Sequence, residues 1–377
     1  AEQLAAMKSQ VAEAMEDGAL GLTSALIYAP GTFAETEELV ALARVAASHG
    51  GLYTAHMRSE GNGLLEAVEE TIRIAREAGL PVKIHHLKAG GQPNWATMDV
   101  VLERINALRA EGVPITADMY TYTAGATGLD AAMPTWVQAG GYEKWAERLR
   151  EPDIRARVKA EMAENADDWE NLGYFAGPEG MLFVEFRNDD LKRYLGMTLA
   201  EVAEARKQDP RDTIIDLVIE DGSRVGTVYF LMSEENLEKQ IRQPWVMFGS
   251  DAQAPAAEGK TLESGSHPRT YGNVARLLGK YVREEKVIHL EEAVRRLTSL
   301  PAATLKIPDR GRLAPGYFAD IAIFDADALQ DRATFENPHQ YAVGMVHVLV
   351  NGKAVVRDGL HTGATPGRAV RGPGHGR

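Results

Sequence analysis

Apolar positions along the first third of the chain change period again and again. Residues 4–16 carry apolar side chains at helical spacing, and "ALGLTSAL" (19–26) then reads as a short buried strand. The stretch 35–48 returns to helical spacing, with Leu39, Leu42, Val45 and Ala46 on one face. A strand follows at 52–56, then a helix at 63–78 with Leu64, Val68, Ile72 and Ala75 in register. A strand at 80–86, a helix at 98–110 and a strand at 113–123 ("VPITADMYTYT") continue the series. Strands thus recur roughly every 30 residues with one helix between them, which predicts βα units around a parallel sheet.

The rhythm stops after Thr127. Residues 128–232 mix helix and strand signals with many charges and three tryptophans, Trp136, Trp145 and Trp169. This stretch reads as an insertion in a βα loop, expected to form a lid over the mouth of the sheet. The repeat resumes with a helix at 233–242 and a strand in "PWVMFGSDA" (244–252), followed by helices at 271–285 and 290–298. From residue 311 the pattern turns to β. "VHVLVNGKAVVRDG" is a hairpin, because Asn351-Gly352 supplies the positive φ angles of a type I′ turn. The tail from Gly363, rich in Gly, Pro and Arg, is expected to pack loosely. Residues 1–310 are therefore assigned to a partial barrel with its insertion, and 311–377 to a β-sandwich portion.

The strand ends carry the chemistry. In a βα barrel, side chains at the C-terminal strand ends converge on one opening. Three consecutive ends here offer His56, then His85 or His86, then Asp118 or Tyr120; the last strand offers Asp251. Strand alternation sends one of His85 and His86 to the barrel mouth and the other to the helix layer. Two imidazoles and a carboxylate at one mouth suit a hydrolytic Zn²⁺. Such an ion lowers the pKa of bound water to about 7, while a carboxylate moves the proton to the leaving group. Asp251 is the preferred carboxylate and Asp118, inside "ADMYTY", the second candidate. Lys88, two residues past His86, and Arg269, in "SGSHPRTYG" with His267, are candidate anion partners.

Composition narrows the classes. Apolar residues make up 45% of the 377 positions and charged ones 25%, an ordinary globular balance. A net charge of -13 argues against a general nucleic-acid binder. Zero cysteines exclude disulfides and thiolate ligands from this chain. No apolar run reaches a membrane-spanning length and no secretory signal is visible, so a cytoplasmic enzyme without membrane partners is expected.

The ordered motifs "TAHMRSEG", "HHLK", "ADMYTYTAG", "FGSDA", "SHPRTYG", "REEKVIHLEEAVRRLTSLPA" and "DRGRLAPGYFADIAIFD" resemble the D-aminoacylases. These are N-acyl-D-amino-acid deacylases of the amidohydrolase superfamily. The resemblance implies a zinc-dependent (β/α)8 TIM-like barrel with a small β-sandwich, and cleavage of N-acyl-D-amino acids to a carboxylate and a free D-amino acid. It implies that His56 and His86 are zinc ligands, with His86 chosen over His85 by its distance from His56. It also makes Asp251 the general acid/base and places Lys88, Tyr120 and Arg269 around the substrate. The family serine after that tyrosine corresponds to Ala126.

The family's His-X-His pair and its cysteine ligand have no counterpart among these residues. The chain is therefore expected to open just before the fourth barrel strand. A sheet of five strands leaves two open edges, so weak zinc binding and aggregation are expected. Two other readings compete: a dihydropyrimidinase- or hydantoinase-like cyclic amidase, and a non-catalytic barrel remnant that only binds a partner.

Overall fold

The computed structural model describes residues 2–166 and 168–376. Helix α1 (Glu2–Asp17) leads into β1 (Gly21–Ala25), α2 (Thr36–Ser48), β2 (Leu52–His56) and α3 (Leu64–Ala78). Then come β3 (Val82–Ile84), α4 (Thr97–Ala110) and β4 (Ile115–Met119). The excursion that follows holds β5 (Ala124–Gly128), α5 (Tyr142–Arg150), α6 (Pro152–Met162) and α7 (Leu172–Ala176). It continues through β6 (Met181–Glu185), α8 (Leu199–Arg206), α9 (Pro210–Asp221) and β7 (Gly226–Phe230). Next are α10 (Glu234–Ile241), β8 (Val246–Phe248), α11 (Arg269–Arg276), α12 (Leu290–Leu297) and α13 (Ser299–Thr304). The chain ends with β9 (Ile321–Phe324), β10 (Met345–Val350), β11 (Lys353–Arg357) and β12 (Leu360–His361).

Five strands form one parallel sheet in the order β1-β2-β3-β4-β8, so each βα unit lays its strand beside the previous one. The pleat divides the side chains. Tyr53, Ala55, Val82, Ile84, Ile115 and Ala117 join Val68, Ile72, Val101 and Ile105 of the helices in one buried apolar cluster. The opposite face carries the polar Thr54, His56, Lys83, Thr116 and Asp118 beside the buried Leu52 and Met247. The helical stripe anticipated on α3 is the one buried, and Gly79 ends that helix at φ +73, a left-handed conformation open to glycine at little cost.

The excursion after β4 is built separately. β5, β7 and β6 form a three-stranded antiparallel sheet that begins four residues before the position at which the sequence rhythm breaks. Leu129, Trp145, Val158, Phe183, Ile215 and Tyr229 centre a second apolar cluster beneath it. At the far end, β12-β11-β10-β9 form an antiparallel sheet. Its β10–β11 turn has Asn351 at φ +48 and Gly352 at φ +79, as the hairpin reading requires.

Some boundaries differ from the sequence reading. β3 stops at Ile84 rather than His86, and β8 covers only Val246–Phe248. The long helix expected at 271–285 is α11 followed by a π-wound segment, Leu277–Glu284. Among the described residues no helix is long and apolar enough to cross a membrane.

Candidate metal centre and its cavity

His56 closes β2, and its imidazole meets that of His86 with ring centroids 4.5 Å apart. The strand-alternation argument does not hold at His86. His85 still donates its N–H to Ala55 O, as a strand residue would. His86 then leaves the ladder at φ +34, and its N–H donates to Asp118 Oδ1 at 2.5 Å. The chain therefore turns between the two histidines, and both side chains avoid the helix layer. His85 lies over the polar face of the sheet, bonded to Thr54 Oγ1 (3.0 Å) and Lys83 Nζ (2.9 Å). His86 swings to the mouth beside His56.

Beside both imidazoles stands Glu60. Its Oε1 is 2.9 Å from His86 Nδ1 and accepts from Lys88 Nζ at 2.7 Å; its Oε2 is 3.7 Å from His56 Nε2. His56, Glu60 and His86 present one ligand atom each, all within 4.8 Å of one another. His56 Nε2 is buried and, among the described residues, has no hydrogen-bond partner. An orphaned imidazole nitrogen facing a carboxylate and a second imidazole is a donor set that fits a divalent metal ion.

The electrostatics set the forms of His56, Glu60 and Lys88. Burial lowers the His56 pKa from 6.5 to about 3, so the ring is neutral and its nitrogen lone pair free. Burial opposes ionisation of Glu60, but the Lys88 ammonium, with the hydrogen bond to His86, outweighs it and holds the carboxyl well below its ordinary value. Burial likewise opposes the Lys88 charge, and Glu60 more than restores it, so the ammonium persists.

These groups line a cavity of about 330 Å³, in the range of small-molecule sites. Asp251 and Arg269 close its β8 side, and Gly125, Ala126, Thr127, Leu172 and Leu231 of the excursion and its flank close the top. Asp251 Oδ2 pairs with Arg269 Nη2 at 2.9 Å, with its side chain 43% exposed. Arg269 is buried, its guanidinium lies 4.4 Å over the Tyr120 ring, and its Nε has no partner among the described residues. His267 fixes this arginine. Its Nδ1 accepts from Arg269 N (3.0 Å), which leaves Nε2 to donate to Ala124 O (2.8 Å). Tyr120 itself is fully buried, against Lys88 and Arg269.

The six residues singled out in the sequence thus reach one place, with Tyr120 behind the cavity wall and the others on it. Asp118 does not. It is held by Lys83 and by the His86 N–H, and although burial alone would raise its pKa, His85 and Lys83 keep it ionised. A carboxylate so committed is a brace rather than a proton shuttle. Two carboxylates of the cavity escaped sequence reasoning. Glu60 carried a faint signal, four residues after a strand-end histidine. Glu170, from the excursion, carried none. Burial and the charge of Glu60 raise its pKa from 4.5 to about 7. A larger groove of about 810 Å³ lies outside the turn 58–63, and Glu170 is part of the wall between the two spaces.

Known proteins resemble this chain along nearly its whole length. The amidohydrolase family model matches residues 1–356. The chain is 33% identical over 371 residues to the N-acyl-D-glutamate deacylase of Alcaligenes xylosoxydans xylosoxydans, covering 98% of this chain and 64% of that protein. It thus spans just under two thirds of the length of this curated relative. A crystal structure of D-aminoacylase, which defines a novel subset of amidohydrolases, superposes with a TM-score of 0.79 at 30% identity, over 98% of this chain and 66% of that one. The N-acyl-D-glutamate deacylase of Bordetella bronchiseptica, complexed with zinc and a phosphonate inhibitor, superposes at 0.76 and 30% identity, over 100% and 66%. The chain belongs to the amidohydrolase family, close to its D-aminoacylase and N-acyl-D-amino-acid deacylase members, and has their barrel fold with a small antiparallel sheet.

Proposed function

From that membership we propose that the protein of this sequence hydrolyses the amide bond of N-acyl-D-amino acids with a bound zinc ion. The observation that carries the reading is the convergence of His56, Glu60 and His86 around an unpartnered imidazole nitrogen, in a cavity flanked by Lys88 and Arg269. His56, His86 and Glu60 would hold the ion. Bound there, zinc lowers the pKa of a coordinated water and polarises a carbonyl oxygen.

The chain's own groups supply the rest. Lys88, an ammonium tied to Glu60, and Arg269, whose Nε has no partner among the described residues, offer charge-assisted hydrogen bonds to the substrate carboxylate. Tyr120 backs both cations and keeps them in place. Asp251 accepts a proton from the attacking water and returns it to the leaving nitrogen. Arg269 orients that carboxylate from the side. The excursion 128–232 serves as a lid, with Leu172 and Leu231 excluding water from above.

Zinc content together with hydrolysis of N-acetyl-D-methionine, N-acetyl-L-methionine and dihydrouracil tests the proposal. Turnover of the D-amide alone is expected. Turnover of dihydrouracil instead identifies a cyclic amidase, and a metal-free protein with no turnover identifies a binding remnant.

A further inference from the structure

The turn that carries Glu60 is held from outside the barrel. Glu170 Oε2 accepts three hydrogen bonds from it: Ser59 Oγ at 2.8 Å, Glu60 N at 2.5 Å and Gly61 N at 3.0 Å. Ser59 Oγ also accepts from Gly61 N and Gly63 N, both at 3.2 Å. Around this clip the excursion packs closely. Asn62 Nδ2 donates to Asn165 Oδ1 (2.7 Å) and Ala166 O (3.1 Å). Phe175 lies so near Gly61 and Gly91 that a Cβ at either would stand 2.7 or 2.6 Å from its ring. Gly90 N, on the loop after Lys88, donates to Glu60 O at 2.7 Å. Among the described residues the Glu60 N–H has no other partner, and the Gly61 N–H has besides Glu170 only the longer bond to Ser59 Oγ.

We propose that Glu170 is the positioning residue of the metal centre, a carboxylate lent by the excursion that sets the Glu60 turn for ligation. This rests on the metal site proposed above. The physical reason is geometric. A ligand on a turn contributes little unless the turn is held, and partners outside the coordination shell typically change metal affinity roughly 10–100-fold. Two backbone N–H groups and a hydroxyl converging on one carboxylate oxygen leave the turn little freedom. The contact also links two equilibria. If docking of the excursion strengthens metal binding, metal binding must strengthen docking by the same factor. The excursion is then both a cover and a part of the metal site.

The test uses the chain with zinc alone. Zinc affinity is measured by competition with a chromophoric chelator for the parent, Glu170→Gln and Glu170→Ala. Gln keeps an acceptor oxygen for the three donors and is expected within about 3-fold of the parent; Ala loses them and is expected to bind roughly 10–100-fold more weakly. Hydrogen exchange in the parent, with and without zinc, reads the reciprocal effect. Added zinc should slow exchange at Gly61, Phe175 and Gly177, and should not do so in Glu170→Ala. The parent measurement needs no variant and stands even if Glu170→Ala fails to fold. Equal affinity of the Ala variant and the parent, a Gln variant as weak as Ala, or no zinc protection in the parent overturns the positioning role while leaving the metal site intact. A parent that binds no zinc overturns both.

Discussion

The two sides of the cavity are built differently. On the β2–β3 side, Glu60, His86 and Lys88 are buried and bonded to one another, and His56 is packed against Tyr28 and His86. On the β8 side, Asp251 sits at φ +49 at the start of a long irregular stretch, 43% exposed, with one ion pair to Arg269. The difference suits the two tasks proposed for them. Metal ligation needs several groups fixed at once, and preorganised burial provides that. Proton transfer needs a carboxylate that can meet solvent and substrate in turn, and one committed to Lys83 and the His86 N–H, as Asp118 is, cannot.

Substitutions on each side should separate these tasks. His86→Ala removes a ligand imidazole, so zinc content and activity should both vanish, as metal analysis beside an activity assay would register. Retention of stoichiometric zinc by this variant would place the metal elsewhere. Asp251→Asn keeps the shape but cannot take a proton. Zinc content should hold while kcat falls about 10²–10⁴-fold, or about 3–5 kcal/mol in activation free energy. A kcat above about a tenth of the parent value would erase the proposed contrast between the sides.

The contrast was partly legible in the sequence. Periodicity located the parallel strands because each buries one face against a helix, and that face must be apolar. Strand ends then pointed to His56, which closes β2, and to Asp251, which lies three residues past the end of β8. The rule failed at His86, because alternation holds only inside a hydrogen-bonded ladder and β3 ends two residues earlier. Glu60 lies on a turn, where no period applies. Glu170 bonds a backbone 110 residues away, and nothing local marks a contact made only by tertiary packing. Regular elements report themselves through repetition; the clips between them do not.

Lys88 sharpens the β2–β3 side further. Lys88→Met keeps the apolar stem and removes the ammonium beside Glu60. One charge-assisted hydrogen bond is worth about 1.5–3 kcal/mol, so KM for N-acetyl-D-methionine should rise roughly 10–100-fold, with kcat changing less. Steady-state kinetics decide it. A fall in kcat at constant KM would mean that Lys88 acts on the reacting atoms and not on the carboxylate.

The last effect is on stability rather than turnover, a pH dependence that belongs to the buried side alone. His56 has its pKa lowered from 6.5 to about 3 in the folded chain, chiefly by burial. Below about pH 6.5 the unfolded chain takes up a proton at this residue that the folded chain refuses until about pH 3. The unfolded state therefore binds more protons across that window, and stability falls as pH falls. One such group contributes a slope of up to about 1.4 kcal/mol per pH unit. Urea titrations of metal-free protein at pH 4–7 should show that slope and its loss in His56→Gln. Asp251→Asn should leave the slope in place, since the exposed side of the cavity does not share the burial that produces it. Equal slopes in the parent and His56→Gln would mean that solvent reaches this imidazole, and the distinction between a buried ligand side and an exposed proton-transfer side would fail at its most sensitive residue.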